Sequence, residues 1–93
     1  MLIHMVLLRF DDDTHADEAV RRLRGLPAEI EVIRRLDAGR NVVPSDRAYD
    51  VGLLVEFDGV EGLEIYRDHP AHVAVAEFIR AHRSAVAACD VER

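Results

Sequence analysis

The chain has no lysine; all twelve of its basic residues are arginine. Without a side-chain primary amine it cannot form an internal Schiff base, which excludes lysine-type aldol chemistry and covalent attachment of pyridoxal phosphate. Cysteine is nearly as scarce. Cys89 stands alone, so no intrachain disulfide can form, and a solitary thiol fits a reducing compartment. There is no Cys-x-x-Cys, no Gly-x-Gly-x-x-Gly and no phosphate loop, which removes the common redox and glycine-rich nucleotide sites. Thr14, Ser45 and Ser84 are the only aliphatic hydroxyls, and none has a nucleophile-elbow context. The net charge is −6 and no basic run stands out, so a nucleic-acid partner, which needs a basic stripe, is not expected. No apolar run approaches the roughly 20 residues of a membrane span. Met1 to Leu8 is too short and too poor in basic residues for a signal peptide. The expected location is therefore the cytoplasm. The chemical repertoire reduces to His, Tyr, Asp, Glu and Arg.

What is present points to one small domain, residues 1–93. A chain of this length buries only about 60–65% of its unfolded surface, and surplus apolar surface predicts self-association. Leu2 to Phe10 reads as a strand with apolar residues on both faces, so both faces need cover. Asp11-Asp12-Asp13 reads as a turn, and Thr14 with Asp17 as a capping-box-like helix start. Ala16, Ala19, Val20, Leu23 and Leu26 trace an amphipathic stripe that ends at Gly25 and Pro27. Ile30 to Ala38 is expected as a second strand, bulged or at an edge where Arg34 and Arg35 break its alternation. Gly39 to Ala48 is expected as a loop, and Tyr49 to Phe57 alternates cleanly as a third strand. Asp58 and Glu61 predict a capped short helix over Val60, Leu63 and Tyr66. The longer helix, Val73 to His82, follows, and Ser84 to Val91 reads as a last strand of small residues. The order β-α-β-β-α-β predicts an α+β, ferredoxin-like four-stranded antiparallel sheet with helices on one face. Two such sheets, face to face, would form a barrel across a homodimer.

The stretch Tyr66-Arg67-Asp68-His69-Pro70-Ala71-His72 places a phenol and two imidazoles within seven residues. Pro70 suits the first helical position, with Asp68 or His69 as cap. His72, Val75, Ala76 and Ile79 share one helical face, and three of the four are apolar, so His72 is predicted to point inward. An imidazole there can remove a proton next to a carbonyl, and a phenol can donate to the developing enolate oxygen. The same residues could instead lock the helix junction by hydrogen bonding. His69 is expected chiefly as a cap. Two histidines are too few for a zinc site, so no metal is expected. His15 and His82 read as solvated helix residues, and Arg67 with Asp68 as a surface pair or cap.

Several stretches together resemble the stress-responsive α/β-barrel domain family, a branch of the dimeric α/β-barrel proteins. They are Ile3 to Phe10, Gly39-Arg40-Asn41, Tyr49-Asp50, Val55-Glu56-Phe57 and Tyr66 to His72. The resemblance spans the whole chain and implies a homodimer with a pocket between sheet and helices. One plant branch, similar to olivetolic acid cyclase, closes a linear polyketide by aldol condensation with no metal and no organic cofactor. There the residues matching His72 and Tyr66 are the base and its assistant, and His4 and His69 also have matching histidines. A pocket histidine of that branch is replaced near Val51, and a first-helix tyrosine has no match around Ala19. The resemblance thus implies His72 and Tyr66 as catalytic residues, and His4, His69 and Val51 as residues near a small aromatic or polyketide-like ligand. A non-catalytic, stress-associated dimer is the competing expectation, and a cofactor-independent monooxygenase a third.

Overall fold

A computed structural model describes residues 1–93. The chain runs β1 (Leu2–Phe10), α1 (Asp13–Arg24), β2 (Arg35–Arg40), β3 (Val51–Phe57), α2 (Val60–Asp68), α3 (Pro70–His82) and β4 (Arg83–Glu92), with a 3-10 turn at Leu26–Ala28. The strands form one antiparallel sheet in the order β2-β3-β1-β4. The architecture is the expected α+β, ferredoxin-like one.

Register decides which residues meet the helices. Leu2, Val6 and Leu8 of β1 stand opposite Phe57, Leu53 and Val51 of β3. Directly paired residues share a face, and this face packs on Ala16, Ala19, Val20 and Leu23 of α1 and on Leu63, Tyr66 and Val75 of α2 and α3. Ala16 and Ala19 are fully buried; their short side chains let α1 lie close to the sheet. The other face carries Ile3, Met5 and Leu7 beside Leu54 on one flank and Ala87, Cys89 and Val91 on the other. No helix covers it, and Leu7 remains 46% exposed.

Several boundaries differ from expectation for identifiable reasons. Asp12, not Thr14, caps α1: its carboxylate accepts from the Thr14 amide at 2.8 Å and from the Thr14 hydroxyl at 2.6 Å. β2 begins at Arg35 rather than Ile30. Ile30 and Ile33 are buried, but in a turn that closes the core after the 3-10 segment. At the end of that turn Arg34 forms a two-point ion pair with Asp58 at 3.0 and 2.7 Å. Asp58 therefore does not cap α2, whose N-cap is Gly59 without a side-chain bond. Gly39 and Arg40 extend β2 instead of opening the loop, and the Arg40 guanidinium reaches Asp13 and Asp17 on α1. β3 starts at Val51; just before it, the Asp50 backbone bonds to Leu8 and to Asn41 at 2.9 Å each, and its carboxylate accepts from the Phe10 amide at 2.8 Å. The expected irregularity in β2 is met as an edge position, whereas the register shift falls between Arg9 and Phe10 in the β1–β4 pairing. His15 and His82 are not freely solvated. Their rings sit 4.0 Å apart between α1 and α3, beside Phe78, whose ring lies under Arg22.

Candidate functional site

The site grows from a break between two helices. His69 precedes Pro70, and a residue before proline is pushed out of the helical region. His69 accordingly has φ −66° and ψ 133°, ending α2 and opening α3. Its Nδ1 accepts from the Ala71 amide at 3.0 Å, so the ring is the cap of α3. In an unbroken helix, residues six apart would point roughly 120° away from each other at about 100° per residue. The break turns α3 back, and the Tyr66 and His72 rings come within 4.2 Å, inclined at 39°.

Tyr66 is 1% exposed. Phe57 lies 5.2 Å away, and the His4 ring meets it edge-on at 6.0 Å. Burial pushes the phenol up to about 12, so it stays protonated at neutral pH, with no hydrogen-bonding group offsetting that burial. His72 is half-buried. Its Nδ1 lies 3.1 Å from the Arg67 carbonyl, one of the carbonyls left free where α2 ends. A carbonyl only accepts, so Nδ1 carries the proton and Nε2 is left as a free acceptor. Burial is the main influence lowering the His72 pKa, outweighing the Arg67 carbonyl, which acts in the opposite sense. The neutral imidazole is therefore the form present near pH 7.

His4 enters from β1. Its Nδ1 is 2.5 Å from an Asp90 carboxylate oxygen on β4, directly opposite in the pairing. A carboxylate likewise only accepts, so Nδ1 of His4 carries a proton. Asp90 is also 3.8 Å from Arg67, which pairs across to β4 rather than with Asp68. Asp90 was missed by the sequence reading, which saw only small residues on β4. Nothing local signals it, because its pairing with His4 depends on the register of β1 against β4.

Together His4, Tyr66 and His72 line a mostly apolar cavity of about 160 Å³, with Leu53, Val75, Ile79, Arg80 and Arg83 also among its lining residues. The fold does not bring the other two expected residues here. Val51 is 1% exposed in the core, and Leu53, one step further along that face of β3, takes the cavity position. His69 faces its own helix start. No group of three or more His, Cys, Asp or Glu side chains is arranged to hold a metal ion. Larger depressions, of about 700 and 400 Å³, involve β2, the adjoining loop and the open sheet face, away from both imidazoles. They are wide surface features rather than sites with convergent polar groups.

Comparison with known proteins places the chain in a family. The family model of the stress responsive A/B barrel domain matches residues 2–93. An uncharacterised protein of Streptomyces coelicolor is 32% identical over 79 residues, covering 80% of this chain and 81% of that one. A dimeric protein of unknown function and ferredoxin-like fold from Bacteroides fragilis superposes with a TM-score of 0.88 at 28% identity, over 99% of this chain and 95% of that one. A hydroxynitrile lyase from Passiflora edulis shares the fold with a TM-score of 0.84, at 11% identity over 97% of this chain and 90% of that one. The chain belongs to the stress responsive A/B barrel domain family.

Proposed function

We propose that this protein is a homodimeric, cofactor-free catalyst acting on a small carbonyl compound, with His72 as general base and Tyr66 as hydrogen-bond donor. One observation carries the reading: a neutral imidazole with a free Nε2 and a protonated phenol with no evident partner flank the same cavity. Nε2 of His72 takes a proton from the carbon next to the carbonyl. The C–H electron pair becomes the enolate double bond, and the carbonyl π pair moves onto oxygen. The Tyr66 hydroxyl donates a hydrogen bond to that oxygen as charge develops. The imidazolium then returns the proton to another carbon, giving an isomer. Alternatively, the enolate carbon bonds to a second carbonyl and the proton goes to its oxygen, giving an aldol product. His4, held by Asp90, stands at the same cavity wall.

The cavity, about 160 Å³, is below the roughly 300–1,000 Å³ of drug-sized ligand sites and close to a cavity of about 150 Å³ known to admit benzene. This favours a compact substrate over an extended polyketide. The homodimer is supported by the uncovered apolar face of the sheet and by the dimeric Bacteroides fragilis relative. A lone, exposed Cys89 suits a cytoplasmic setting. A purely structural role is the second reading, favoured by the packing of Tyr66 on Phe57.

The test is exchange of α-protons of small ketones and β-dicarbonyl compounds in heavy water, followed by proton NMR. His72→Ala should slow exchange by about 10²–10⁴-fold, and Tyr66→Phe by about 10²-fold or more. Wild-type rates in His72→Ala would remove the base assignment. Absence of exchange on every compound would return the site to the structural reading.

A further inference from the structure

The arginines divide in a way that singles out this cavity. Seven of the twelve face a carboxylate: Arg21 and Arg22 on Glu18, Arg34 on Asp58, Arg35 on Asp37, Arg40 on Asp13 and Asp17, Arg67 on Asp90 and Arg93 on Glu56. Arg9 lies over the Tyr49 ring, Arg24 donates to the Ala38 carbonyl, and Arg47 sits on the exposed loop. The remaining two, Arg80 and Arg83, both line the cavity that holds His4, Tyr66 and His72. In a chain with eighteen acidic residues and a net charge of −6, five of the twelve arginines still face no carboxylate. Two of them border one small apolar cavity.

We infer that Arg80 and Arg83 form an anion-binding end of this cavity, and that its ligand is a small carbonyl compound bearing a carboxylate. The inference deepens, and rests on, the proposal that His72 and Tyr66 act on a carbonyl. Placement along α3 supplies the geometry. His72, Ala76, Ile79 and Arg80 recur at helical spacing, and Arg83 follows at the junction with β4. A rise of about 1.5 Å per residue puts Arg80 roughly 12 Å along the axis from His72. Helical side chains lean toward the N-terminus, so the Arg80 guanidinium can reach back over the apolar wall, while Arg83, at the start of β4, lines the same cavity from the strand side. A short molecule in the cavity then has its carbonyl beside the Tyr66 and His72 edges and its carboxylate at the arginines, with Val75 and Ile79 alongside. Guanidinium groups bind a carboxylate through paired, charge-assisted hydrogen bonds. Both arginines also complement the negative end of α3. That role alone would change helix stability without creating any preference among ligands.

The probes are 4-oxopentanoate and 4-acetylbenzoate, each compared with its methyl ester, which keeps the ketone and its exchangeable α-protons and removes the charge. Dissociation constants come from NMR titration, and α-proton exchange is read in the same samples. In the wild type the acids should bind about tenfold more tightly than the esters, and the preference should shrink as salt rises. The double variant Arg80→Gln/Arg83→Gln should lose the preference while ester affinity stays the same. Arg80→Lys/Arg83→Lys should keep part of it. Equal binding of acids and esters to the wild type, or a preference that survives the double glutamine variant, overturns the inference. Exchange through His72 without acid preference leaves the carbonyl chemistry standing and sinks the anion site. Arginine-dependent acid binding without exchange does the reverse. Binding of none of the four probes overturns both.

Discussion

Replacing Leu7 by glutamate tests the proposed dimer at its most exposed apolar point on the uncovered sheet face. Leu7 stands between Gly52 on β3 and Ala87 on β4, and one of its methyl groups leans to 3.9 Å from where a Gly52 Cβ would be. It is a ridge between two shallow neighbours, a shape that a second copy of the same face can accept. Full burial of a leucine side chain is worth about 1.5–3 kcal/mol. With 46% of Leu7 still exposed in the single chain, pairing adds about 1 kcal/mol per copy, or about 2 kcal/mol per symmetric dimer. Glutamate loses that gain. It also brings two carboxylates into an apolar interface, at a cost of several kcal/mol in desolvation or forced protonation. The sum is at least about 4 kcal/mol, or roughly a thousandfold in the dimer dissociation constant. Sedimentation velocity over a micromolar concentration series should show the wild type as a dimer and Leu7→Glu as a monomer. Leu7→Ala should be intermediate. Ile65→Glu, on the outer surface of α2 and 53% exposed, should leave the dimer intact. A monomeric wild type, or a Leu7→Glu chain that dimerises as tightly, would refute the assignment of this face.

Gly62→Ala would ordinarily stabilise a helix by about 1 kcal/mol. Here the new methyl would lie 3.1 Å from Cβ of the fully buried Phe57, and overpacking of about 1–3 kcal/mol should outweigh that gain. Urea denaturation at fixed protein concentration should show a net loss, and a higher midpoint would show that Phe57 can yield. Asp12→Ala removes the α1 cap and should cost about 1 kcal/mol, lowering Tm by about 4–8 °C; an unchanged Tm would mean that water replaces the cap. The His72 pKa is lowered by burial, so the unfolded chain binds more protons at this position. Its contribution to stability is full above the unfolded value near 6.5 and falls with pH down through the lowered folded value. His72→Asn should flatten the stability profile below about pH 6.5, and identical wild-type and variant profiles would place the dependence elsewhere.

Residues that repeat locally were legible in the sequence. β1 runs as its alternation predicts, and α3 starts at Pro70 because a missing amide costs nothing at a first helical turn. The inward face of α3 was readable for the same reason, since apolar spacing at 3.6 residues depends on the chain alone. The lack of lysine, of paired cysteines and of glycine-rich loops bounded the chemistry before any fold was known.

Tertiary structure decided what needed two distant segments. Ile30 and Ile33 look like strand residues, yet they fill a turn, because burial rewards apolar residues whichever backbone presents them. Asp58 looks like a cap but is taken by Arg34, and Asp12 caps in place of Thr14. Val51 and Leu53 both face inward on β3, and only the packing of α3 across the sheet sends the cavity to Leu53. The meeting of Tyr66 with His72 required the helix break at His69, and that of His4 with Asp90 required the register of β1 against β4. Alternation and capping act over a few residues and can be read from them, whereas cross-strand partners, cavity walls and unpaired arginines depend on contacts between segments far apart in the chain.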